Sequence, residues 1–195
     1  MQRYALDFQW RGFELHPEIP LGGMDVGKMF PEAQVQAMFS RLRQVAEGMG
    51  VPFDPPMHAP NTKKALAISE HARAEGRLAA WREVAMDAYW QHGRNIEDEA
   101  VLRELASEAG LDPEAAMRFL ERPEIPKLLM EQRVEAHRWG VNSIPTWFLL
   151  PSGWSPEEPW PQDHPDKPVR VVGCQPLEVV ERAAKMAGAQ PLQSV

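Results

Sequence analysis

Few residues in this 195-residue chain are of a type and spacing that could do chemistry. Cys174 is the only thiol, so no intramolecular disulfide and no four-cysteine zinc site can form. Acting alone, it could serve as a one-cysteine redox centre or a glutathionylation site; the plainer alternative is a small structural cysteine. The histidines are His16, His58, His71, His92, His137 and His164. No pair has the i, i+4 helical spacing with a nearby carboxylate that a zinc site needs, so no metal is expected. His71 and His137 read as solvated helix faces. Nothing resembles a Ser-His-Asp set, and Gly22-Gly23 with Gly27-Lys28 lacks phosphate-loop spacing. What remains is Pro145, entering a hydrophobic strand in the stretch Gly140-Val141-Asn142-Ser143-Ile144-Pro145-Thr146-Trp147-Phe148. A proline cannot donate to a strand ladder, so it belongs at the first residue, often after a cis peptide bond.

The composition narrows the setting. At 44% hydrophobic and 25% charged the chain is that of an ordinary globular protein of one domain, or a core with an inserted subdomain. Its longest apolar runs are only a few residues, too short to span a membrane. The first residues have no apolar leader segment. A net charge of -7 argues against a broad nucleic-acid surface. A single cysteine makes the reducing cytoplasm the default location.

The elements that must position these residues are punctuated by 19 prolines. Residues 8–15 alternate partly, with Phe8, Trp10, Phe13 and Leu15 apolar, which predicts a strand with Gly12 as a bulge. Pro31 opens a helix over residues 31–48, in which Val35, Met38, Phe39, Leu42 and Val45 recur at helical spacing. Asn61 is the expected N-cap of the next helix. The segment 61–140 then reads as almost wholly helical, with helices over 78–92, 97–109, 113–120 and 125–139. Trp10, Trp81, Trp90 and Trp139 fall on apolar faces and are expected in the core. Two strands follow, 146–150 and 169–173, and a last amphipathic helix over 175–187. Between the strands, residues 151–168 hold six prolines with Trp154 and Trp160. That loop reads as a lid, a subunit contact or a solvated insertion. The tail from Gln190 is expected to fray.

The stretch around Pro145 resembles the G-V-x-G-V-P-x-F segment of DsbA-like thioredoxin-fold proteins. The likeness is to the branch with FrnE-type oxidoreductases and hydroxychromene-carboxylate isomerases. Four more segments resemble that family in the same order. Trp10-Arg11-Gly12-Phe13-Glu14-Leu15-His16-Pro17 is similar to its second strand and turn. Asn61-Thr62 is similar to its N-T-x-x-A helix start, and Ala88-Tyr89-Trp90-Gln91-His92-Gly93-Arg94-Asn95-Ile96 to its A-Y-F-x-x-G-x-D-I segment. Gly173-Cys174-Gln175-Pro176 is similar to its G-A-Q motif. Together the matches run over about residues 8–187.

The resemblance implies an α/β, thioredoxin-like (DsbA-type) sheet with an inserted α-helical subdomain. The core would be residues 1–60 and 141–195, and the helical insertion 61–140. It also implies that a first strand and a C-P-W-C or serine-bearing turn would lie upstream of Met1. A fragment, a late start and a redox-inactive relative would all read this way. With the first strand missing, either residues 8–15 pair directly with 146–150 or a second chain covers the slot. The expected function is that of a DsbA-family thiol–disulfide oxidoreductase-like protein, inactive because its nucleophile is absent, so no catalytic residue is assigned. Substrate would meet Ser143, Ile144 and Pro145, together with His16 and Asn61; His58 occupies a similar proline-bearing loop. No cofactor is expected; the ligand would be a peptide or a small thiol such as glutathione. Nucleic acid and membrane are not expected partners, whereas a homodimer is. The alternatives are a glutathione-binding isomerase-like member and a non-catalytic scaffold using the helical subdomain and the 151–168 loop.

Overall fold

The computed structural model describes residues 4–150 and 168–192; the Pro/Trp-rich loop at 151–167, with its Trp154, Trp160 and His164, lies outside the described residues. The chain forms two compact units, one from Met1–Leu15 with Glu131–Val195 and one from His16–Met130.

In the unit His16–Met130, β1 (Met24–Asp25) leads into the single turn α1 (Val26–Met29), whose start is capped by Asp25 accepting from the Gly27 N–H at 2.7 Å. Helix α2 (Glu32–Met49) follows Pro31 and stops at Gly50. Strand β2 (His58–Ala59) returns to pair antiparallel with β1, Met24 opposite Ala59 and Asp25 opposite His58. Helices α3 (Lys63–Ala74), α4 (Leu78–Trp90), α5 (Glu99–Glu108) and α6 (Pro113–Leu120) come next, then α7 (Ile125–Arg138), of which the residues from Glu131 on are counted with the other unit. Their ends follow local chemistry. Asp98 accepts from the Ala100 and Val101 N–H groups at the start of α5, and Asp112 from Glu114 at the start of α6, with Pro113 at the first helical position. Asn61 shares in starting α3: its Oδ1 accepts from Lys63 N at 3.1 Å, although Thr62 occupies the cap position.

The core of this unit is where α3 to α6 meet. Ile68, Trp81, Leu102 and Leu105 are closed to water there, with Ala72, Ala106 and Ala116 as close-packed spacers. The buried indole N–H of Trp81 is satisfied by Ser69 Oγ at 3.0 Å, and the Ser69 hydroxyl donates to Ala65 O. A second, smaller cluster joins Val26 to Val35 and Phe39 of α2.

The other unit holds β3 (Thr146–Leu149) and β4 (Val169–Val172), antiparallel with Thr146 opposite Val172 and Leu149 opposite Val169, and helix α8 (Leu177–Met186). Among the described residues this sheet has two strands. The strand expected over residues 8–15 does not form, nor does the bulge at Gly12, and the direct pairing with 146–150 is not made. Side chains hold the segment instead. Trp10 and Phe8 set their rings edge-on to Trp147 at 4.9 and 6.3 Å, Phe13 meets His137 at 5.7 Å, and Glu14 lies 3.7 Å from Arg133. Ring edges meeting faces give a large contact area without fixing a backbone register. The first and last described stretches also meet: Tyr4 bridges to Pro191 and Ala5 N donates to Gln190 O, so Gln190 and Pro191 are tied rather than frayed.

Candidate functional site

The residues from Gly140 to Pro145 form the turn between α7 and β3. Gly140 has φ of 72°, a left-handed conformation, and a Cβ there would stand 2.9 Å from Arg170 Nη1. Two groups fix the turn's approach: Val141 N donates to Ala136 O, and His137 Nδ1 lies 3.1 Å from Val141 O. The Ile144–Pro145 peptide bond is cis, as the position of Pro145 at the mouth of a strand led us to expect. Two hydrogen bonds anchor the loop on either side of Ile144. Thr146 Oγ1 donates to Ser143 O at 2.7 Å, and Gly173 N donates to Pro145 O at 2.8 Å.

Ile144 itself is 51% exposed, and its N–H and C=O have no partner among the described residues. Ser143 is half-buried and Pro145 exposed. The loop therefore offers an apolar side chain and an unused donor and acceptor, backed by a strand. Such an edge can take an extended chain or the amide groups of a small peptide-like thiol. Cys174 is exposed and lies one residue beyond Gly173, the residue that donates to Pro145.

His16 and Asn61 belong to the unit His16–Met130, so the sequence-derived set falls into two groups. The His16 ring faces the Glu18 carboxylate at 2.9 Å and sits edge-on to Phe30. The Glu18 carboxyl is held below its ordinary range by its own backbone N–H and by His16. Asn61 is 4% exposed, and both ends of its amide are engaged: Nδ2 donates to Ile19 O at 2.7 Å while Oδ1 caps α3. Ile19 N in turn donates to His16 O, which joins the two residues through one turn.

The residue that completes this cluster is one the sequence did not single out. Glu97 is buried, and its two carboxylate oxygens accept from Gly22 N at 2.7 Å and Asn61 N at 3.0 Å. It ties the loop before β1 to the start of α3. One carboxylate among 28 acidic residues carries no sequence signal of such a role. His58, expected in a loop, lies in β2 and offers its carbonyl to the Tyr89 hydroxyl at 3.1 Å, and burial pushes the Tyr89 phenol up from its usual range. Among the described residues no group of three His, Cys, Asp or Glu side chains is placed to hold a metal ion. No described helix is long and apolar enough to cross a membrane.

A family model described as a DSBA-like thioredoxin domain matches residues 1–184. The chain belongs to that family. Its mixed α/β architecture is a DsbA-like thioredoxin fold carrying several helices. Among solved structures it is similar to a probable DsbA oxidoreductase from Streptomyces coelicolor, with a TM-score of 0.74 and 24% identity over 95% of this chain and 77% of that one. At that identity the likeness speaks for the fold. No curated protein matches the chain. The turn Ser143-Ile144-Pro145 leads into β3.

Proposed function

We propose that the chain is a DsbA-like module of the FrnE-type branch. It binds an extended peptide, or a small thiol such as glutathione, along Ser143-Ile144-Pro145, and does not itself turn over disulfides. The observation that carries the binding half is Ile144, with its exposed side chain and a backbone N–H and C=O that have no partner among the described residues. A ligand backbone satisfies those groups as an added strand would, and the Ile144 side chain gives it apolar contact.

The second half rests on the chemistry of exchange. A thiolate attacks one sulfur of the substrate disulfide, the other sulfur leaves as a thiolate, and a mixed disulfide remains. In a two-cysteine cycle a second thiol of the same protein then displaces the substrate. The 195 residues supply one thiol, Cys174, so they hold no cysteine pair to run that cycle, and a mixed disulfide on Cys174 would be released only by an external thiol. A lone exposed thiol also suits a reducing compartment, which supports a cytoplasmic setting.

Two measurements test this reading. Insulin reduction with dithiothreitol should run at the uncatalysed rate; turnover well above background overturns the inactive assignment. Titration with glutathione or a short extended peptide should show millimolar or tighter binding that Ile144→Pro abolishes, because proline removes the free N–H. Binding that survives Ile144→Pro, or no binding at all, removes the ligand role from this loop.

A further inference from the structure

Helix α2 is 18 residues long, about 27 Å, yet only its first half is packed. Val35 and Phe39 are buried with Val26, whereas from Ser40 to Met49 only Ala46 is even half-buried. A helical segment of that size has little stability in water without a surface to bury against. The residues it leaves open are not those of a solvated helix. Val35, Met38, Leu42, Val45 and Met49 recur at the alternating three- and four-residue spacing of a coiled-coil seam. The last four are 39%, 39%, 45% and 67% exposed. Gln36, Ser40, Arg43 and Glu47 occupy the opposite face, so the apolar residues form one stripe rather than scattered positions.

We infer that this stripe is a self-association surface on which a second copy of the chain lays its own α2 antiparallel. A two-fold axis crossing the seam between Leu42 and Val45 sets Met38 opposite Met49 of the partner subunit and Leu42 opposite Val45 of the partner subunit. The four exposed seam residues thereby pair among themselves, with none left over. The helix ends decide the direction. The last turn of α2 contains no basic residue, so its carbonyl end carries uncompensated negative character. Arg41 borders the stripe, and an antiparallel partner brings it alongside that end, once for each copy. Parallel pairing would set two carbonyl ends side by side and leave both guanidinium groups remote from them. Gly48, on the same border as Arg41, leaves room for the guanidinium to approach.

A four-layer helix pair is at the small end of interface sizes, so association in the micromolar range is expected. Analytical ultracentrifugation of the full chain over a concentration series should show a shift from 22.1 kDa toward twice that mass. Leu42→Asp should weaken dimerisation by at least about tenfold. Arg41→Gln should weaken it about threefold, since it removes only the charge at the helix end. Far-UV circular dichroism identifies any variant that has merely lost its helices. Register is read by crosslinking in a Cys174→Ser background, which removes the native thiol. Met38→Cys with Met49→Cys should form an intermolecular disulfide under mild oxidation, and Met38→Cys alone should not. A chain that stays monomeric at the highest concentration overturns the inference. So does a dimer indifferent to Leu42→Asp, or a single-cysteine variant that crosslinks as well as the double one.

Discussion

In the unit His16–Met130, Ile68, Trp81, Leu102 and Leu105 are shut off from water, whereas in the unit that carries the Ile144–Pro145 loop every residue of β3 stays half-buried. The first region is a helical core in which four elements share one apolar interior and the indole N–H is paired inside it. The second is, among the described residues, a two-stranded ladder with Val171 buried in β4, Ala183 and Ala184 buried in α8, and aromatic rings meeting edge to face. A tight interior fixes side chains and resists opening. A half-buried ladder leaves a strand-entry loop with backbone groups to offer. The candidate binding loop lies in the looser region, where an incoming chain can add hydrogen bonds without displacing a packed core.

This contrast can be broken by substitution, and the largest effect belongs to the helical core. Trp81→Ala should cost about 3–5 kcal/mol, read from urea unfolding followed by far-UV circular dichroism, because it opens a cavity and removes the bond that Ser69 accepts while its own bond to Ala65 stays. A loss below about 1 kcal/mol would mean that the core collapses around the gap. Glu97→Ala should come next, at about 2–3 kcal/mol, since Asn61 N loses its acceptor inside the protein and Gly22 N loses its own nearer the surface. Glu97→Gln keeps one acceptor oxygen and should recover part of that loss.

In the looser unit, Trp147→Ala should cost only about 1–2 kcal/mol, because the ring is half-buried and its partners Phe8 and Trp10 can re-pack. Its signature should be faster hydrogen exchange in β3 and β4, with the amides of α3 and α5 unchanged. Equal acceleration in both units would erase the distinction between them. Asp98→Ala removes the acceptor for two N–H groups at the start of α5 and should cost about 1 kcal/mol, with Asp98→Asn close to neutral.

The smallest effect is electrostatic. Glu99 is held below its ordinary range by the hydrogen bond from Lys64, by that residue's charge, and then by Arg103. Its folded pKa is depressed, so the stability it lends is present above the unfolded value of about 4.3 and is lost as pH falls through the folded value. The pair is exposed, so the slope should be shallow and should fade with added salt. Lys64→Met should flatten the acid limb of the stability–pH curve; an unchanged limb would show that the pair contributes nothing measurable.

The sequence made some of these elements readable and left others hidden, for reasons that differ from residue to residue. Asp112-Pro113 and Gly140 marked helix boundaries because a cap, a fixed φ and a left-handed turn are local requirements. The 146–150 and 169–173 runs were readable as strands because they are short, apolar and β-branched or aromatic, and Pro145 located the loop that precedes the first of them. Residues 8–15 misled: alternation says which side chains share a face, but a strand also needs a partner with free ladder groups. β3 pairs only with β4 among the described residues, so the segment is held by its rings. Asn61 was recognised at the start of α3, but its bond to Ile19 O spans 42 residues and no local pattern encodes it.

By itself, then, the sequence determined the helices longer than one turn, the strand-entry proline, the single thiol and the family likeness, all of which depend on near neighbours or on residue identity. Only the tertiary structure decided what Glu97 ties together, which segment joins the sheet, and that the outer half of α2 has no partner among the described residues. Those outcomes turn on which distant groups claim a donor, an acceptor or an apolar face first, and such competition is settled only when the whole chain packs.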